Sequence, residues 1–109
     1  MRKVAALCAV LLVVTTLLHA QEPLRGRLVD RDGIPQRGCR LEFFFLNDKY
    51  RDKPAFEAYT DEYGVFLLHP RKEEFFIVRV WLDGRSAEIK GKVRVGNKGI
   101  DPDPLIVDW

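Results

Sequence analysis

Beyond its first twenty residues the chain carries one cysteine (Cys39), one histidine (His69), one serine (Ser86) and one threonine (Thr60). That is a thin supply for catalysis. A nucleophile needs a base within hydrogen-bond reach, and His69 is the only imidazole on offer. Alternation puts Cys39 with Leu41 and Phe43 on the expected core side of a strand. It puts His69 with Val65 and Leu67, opposite Phe66 and Leu68. No dyad is expected, and the chain reads as a protein that is not an enzyme. One His and one Cys are too few for a zinc site. Asp30 and Asp32 beside Gly33, and Asp101 and Asp103, share a spacing that calcium loops use. Neither pair has the full spacing of such a loop, and both sit where turns need Asp. No metal or cofactor is expected.

The residues best suited to binding are aromatic. Phe44, Phe75 and Trp81 fall on the strand faces opposite the expected core, with Ile77 and Leu46 beside them. If the two strands are neighbours, they build an apolar patch able to stack sugars or dock a protein. The alternative is that both faces of these strands are covered. Lys90, Lys92 and Arg94 form a basic ridge, which a half-solvated strand produces by alternation alone.

The elements that hold these residues are strands. Apolar positions alternate along Leu24–Leu28, Gly38–Leu46, Phe56–Thr60, Phe66–Leu68, Phe75–Leu82, Ala87–Val95 and Leu105–Trp109. Turn chemistry separates them at Asp30–Gly33, Asp61–Gly64 and Asp83–Gly84. The stretch from Gly96 through Pro104 reads as a long connection. No segment has helical periodicity. Seven short strands predict an all-β, antiparallel β-sandwich.

Residues 1–20 read as a signal peptide: Arg2 and Lys3, an apolar run from Val4 to Leu18, then Leu18-His19-Ala20 before Gln21. The run is shorter than the ~20 residues of a bilayer span, and an uncleaved anchor is the alternative. Residues 21–109 then form one domain with no transmembrane span. Removing Arg2 and Lys3 from the chain's 18 Lys and Arg leaves 16, equal to its 16 Asp and Glu. A neutral domain offers no global field for nucleic acid. Cys8 leaves with the leader, so Cys39 has no intrachain partner. Its expected role is a small buried hydrophobe.

The order of the turn motifs resembles the carboxypeptidase regulatory-like domain, a transthyretin-like (prealbumin-like) β-sandwich. The matching residues are Gly26-Arg-Leu-Val-Asp30, Gly33-Ile-Pro35, Gly38-Cys39, then Thr60, Asp61, Gly64 and Phe66, and finally Phe76, Val78 and Val80. They extend from Leu24 to Leu82. The chain departs from the pattern at Arg71-Lys-Glu-Glu74, where the family often has Pro-Gly. It lacks the paired cysteines of secreted transthyretin-like proteins. It ends Val107-Asp-Trp109, unlike the transthyretin-like hydrolase.

The resemblance implies a non-catalytic binding module that accompanies an enzyme or receptor. With the leader, it implies a secreted or periplasmic module with a protein partner in trans, or a cell-surface polysaccharide as the alternative ligand. A small hydrolase is a third reading.

Overall fold

The computed structural model describes residues 22–47 and 52–109. The expected leader and residues 48–51, between the second and third expected strands, lie outside the described residues. Those described are all-β, with no helix long and apolar enough to cross a membrane among them.

Among the described residues nine strands are seen where seven were expected: β1 (Leu24–Val29), β2 (Arg40–Phe45), β3 (Phe56–Tyr59), β4 (Val65–Leu68), β5 (Glu74–Leu82), β6 (Arg85–Glu88), β7 (Val93–Gly96), β8 (Gly99–Asp101) and β9 (Leu105–Ile106). They form two sheets. The larger runs β3-β2-β5-β7-β8, with β6 also on β5, and the smaller runs β4-β1-β9. The inner faces of both sheets supply one core, from Leu28, Phe66 and Leu105 on one side to Leu41, Phe43, Phe76 and Val78 on the other.

Two features account for the extra strands. The expected strand Ala87–Val95 is broken in its middle, although both halves pair with β5. Ile89 N donates to Val78 O at 2.9 Å, whereas Val93 lies opposite Phe76. Two residues therefore separate the halves from a continuous ladder, and Gly91 takes φ +83° there. Because the side-chain period is two, an even insertion keeps Ile89, Val93 and Val95 on the core face. The second feature is a hairpin inside the expected connection. Gly96-Asn-Lys-Gly99 turns β7 back into β8, where Ile100 is buried.

The pairing is not wholly antiparallel. Leu28 and Val29 of β1 face Leu105 and Ile106 of β9 in parallel register. One expected core residue also differs: Phe45 sits at the sheet's end, 39% exposed, leaning on Phe76.

The two Asp-x-x-Gly turns are built alike and hold each other. Asp30 Oδ1 accepts from the amides of Asp32 and Ile34, both at 2.9 Å. Asp61 Oδ1 accepts from Tyr63 and Val65 at 2.8 and 3.0 Å. Leu28 N donates to Gly64 O, and Gln36 N donates to Leu28 O, so the second turn docks on the start of the first. Gly26 faces Phe66 across β1 and β4, and a Cβ there would lie 2.2 Å from the Phe66 ring. The missing side chain thus makes the slot that the phenyl ring fills.

Candidate functional site

The residues expected to do chemistry are kept apart. Cys39 is fully buried, and its Sγ lies 3.8 Å from the Arg37 carbonyl. Burial pushes its thiol up from the ordinary value. The Thr60 hydrogen bond and Arg85 oppose that shift, and Asp83 adds to it. Thr60 is itself buried, and its Oγ1 accepts from Cys39 N at 2.8 Å. His69 is exposed at the end of β4, in a depression that Phe56 also lines. Phe56 opens β3 and Thr60 directly follows it, about 13 Å away at the usual strand rise. Ser86 is exposed on β6. Nothing here assembles a nucleophile with its base. Among the described residues no group of three or more His, Cys, Asp or Glu is gathered to hold a metal ion. Asp30 and Asp61 each hold their own turn. Asp101 lies 3.3 Å from Arg94.

Phe44, Phe75 and Trp81 do share the outer face of the larger sheet. Register sets Phe44 beside Ile77, Arg40 beside Trp81, and Phe75 beside Arg94. They do not form a single open patch, and at Phe44 the covered alternative holds. Phe44 is only 2% exposed and has no surface for a ligand. The row Glu42–Arg79–Glu88 crosses the face between Phe44 and Trp81, with Arg79 3.9 Å from Glu88.

Phe44, Phe75 and Trp81 each lie near a cation. Arg79 is 5.5 Å from the Phe44 ring, Arg40 is 5.5 Å from Trp81, and Lys92 is 4.5 Å from Phe75. Such contacts contribute about 0.5–1 kcal/mol each at exposed sites. Trp81 Nε1 also donates to Glu42 Oε1. The Arg40 Nε is sealed from solvent without a hydrogen-bond partner. Trp109, at the chain's end, repeats the pattern with Arg85 at 4.8 Å. The basic ridge is partly neutralised as well, since Arg94 lies 3.3 Å from both Glu73 and Asp101.

Sequence reasoning missed a second cation–aromatic site. The Arg71 guanidinium lies 4.3 Å from the Phe56 ring and 5.4 Å from that of Phe76. Phe56 stacks on Phe43 at 4.6 Å, so Arg71 caps the end of the aromatic core. Arg71 lies in the run where the chain departs from the family pattern, and a charged loop gave no sign of a packed residue.

A scan against protein-family models finds no match to this chain, and searches of the curated proteins and of the solved structures find none either.

Proposed function

We propose that residues 21–109 form a secreted or periplasmic, non-catalytic β-sandwich module of the carboxypeptidase regulatory-like type. It docks a protein partner through the outer face of the larger sheet. The motif residues that carry the resemblance act together in the fold, which supports the family reading. Gly26 makes room for Phe66, and the Asp30 and Asp61 turns interlock through Gly64.

The observation that carries the docking role is the composition of the outer face. Trp81 sits beside Arg40 and Phe75 beside Lys92, with Arg79 over the buried Phe44 ring between them. Aromatic rings with arginine are the mixture enriched at protein interfaces. Phe44 supports this face from within and is not a contact residue. A polysaccharide stacks on open ring faces, and the cations beside Phe75 and Trp81 compete for theirs. The carbohydrate reading is therefore second. Tyr59, 64% exposed, is the ring that favours it.

The test is affinity capture from the native envelope or medium, alongside binding to immobilised polysaccharides. A partner bound by the intact chain should be lost on Trp81→Ala and Phe75→Ala and kept on Tyr63→Ala. Full retention by a folded Trp81→Ala protein would refute the outer-face reading.

A further inference from the structure

At one margin of the sandwich β3 and β4 are both edge strands. Among the described residues β3 pairs only with β2, and β4 only with β1. The Asp61–Gly64 turn joins them, so the two free edges meet along one seam. Two depressions follow that seam, of about 370 and 840 Å³, and they share Glu57 and Leu67. Together they make one shallow groove. Its apolar surface comes from Phe56, Leu67 and Leu68, and Leu67 is 54% exposed.

The groove is polarised. Arg71 and His69 stand at one end, and Glu22 and Asp61 at the other, with Arg25 and Glu57 between. Tyr59 Oη donates to Glu57 at 3.3 Å. The Arg71 guanidinium is fixed against two phenyl rings, and no carboxylate among the described residues pairs with it. Its five N–H donors suit a carboxylate.

We propose that this seam binds an extended peptide by its C-terminus, with the terminal carboxylate on Arg71 and the preceding residues added as a strand to the β3 edge. The bound chain runs antiparallel to β3, since β3 starts at Phe56 beside Arg71 and leads away to Tyr59. Antiparallel addition is the more stable pairing. Pro70 carries no N–H and so gives a longer chain nothing to pair with past Arg71. A chain end fits there better than an acidic side chain in mid-peptide. The four residues of β3 set the length read at about four. Glu57 and Tyr59 belong to the outer face, opposite Glu42 and Arg40, but Arg71 and Leu67 do not, and with them the site goes beyond that reading.

The test uses the full chain and a fluorescein-labelled hexapeptide of alternating threonine and valine, followed by anisotropy. Three forms are compared: the free acid, the C-terminal amide, and an amide with glutamate as its last residue. The free acid should bind at least about tenfold tighter than either amide. Arg71→Gln should erase that preference and Arg71→Lys should restore part of it, with thermal melts confirming that each variant is folded. Leu67→Asp, on an exposed position, should weaken all three forms. In amide NMR spectra the free acid should shift Phe56–Tyr59, His69 and Arg71.

Equal binding of acid and amide would overturn the proposal. So would no binding of any form up to about 1 mM, the level of a very weak complex. A glutamate-ended amide that binds like the free acid would overturn the assignment to a chain end. Trp81→Ala should leave peptide binding unchanged. If it abolishes binding, the peptide sits on the outer face and the seam site is refuted, while the outer-face reading gains support.

Discussion

Gly64 carries two constraints at one position. Its φ is +75°, and a Cβ built there would lie 2.6 Å from the Leu28 carbonyl oxygen. That oxygen accepts from Gln36 N, so it cannot retreat without opening the first turn. Gly33 shares the positive φ, at 81°, but has nothing within 4 Å. Gly33→Ala should therefore cost only backbone strain, about 1–2 kcal/mol. Gly64→Ala should cost about 3 kcal/mol or more, because a steric contact adds to that strain. Urea unfolding with an unchanged slope measures both, and equal losses would mean that the contact relaxes freely. Thr60 gives a second test at this scale. Thr60→Val keeps the shape but leaves the buried Cys39 amide without its acceptor, at about 1–3 kcal/mol. Thr60→Ser keeps the acceptor and should lose clearly less.

The bulge between β6 and β7 shows how register is protected. Two residues stand out of the ladder on β5, and parity survives because two is even. Deleting Gly91 alone would turn either Ile89 or the pair Val93 and Val95 to solvent. Deleting Lys90 and Gly91 together should restore a continuous ladder. The single deletion should fail to yield folded protein, and the double deletion should give a cooperative thermal melt. Folded protein from the single deletion would show that this part of the sheet has no fixed register.

Alternation made the inward set readable, from Leu28 through Val95, and the Asp-x-x-Gly turns were readable from their residue types. The bulge was not, because an even insertion leaves no trace in the alternation. Strand β8 has three residues between glycines and prolines, too few to show a period. The parallel pairing of β9 depends on where a two-residue strand lands. The outer aromatics were legible as a face but not as a site. Sequence gives parity, whereas the burial of Phe44 and the cations beside Phe75 and Trp81 depend on neighbouring strands. Arg71 was illegible for the same reason, since its contacts are with Phe56 and Phe76, on other elements.

At the scale of the whole molecule, Cys39 can report on cooperativity. Its side chain is fully buried in the core shared by both sheets, and it is the only free thiol among the described residues. If the sheets open as one unit, a thiol reagent reaches Cys39 only through global unfolding. Slow labelling of the folded protein should then accelerate in Gly64→Ala by the factor that its urea-measured stability loss predicts, at about tenfold per 1.4 kcal/mol. A rate unchanged in that variant would place the opening locally, at the β2–β3 end that Thr60 closes. The thiol also sets a pH signature. Burial raises its folded pKa, so the native state holds a proton that the unfolded state releases. The associated stability is complete below the unfolded value, about 8.5, and is lost as pH rises through the folded one. Chemical denaturation of the intact chain and Cys39→Ala should thus give parallel stability profiles up to about pH 8.5, with the intact chain falling faster above it. Profiles that stay parallel into the alkaline range would mean that the thiol ionises as readily in the folded core as in the unfolded chain.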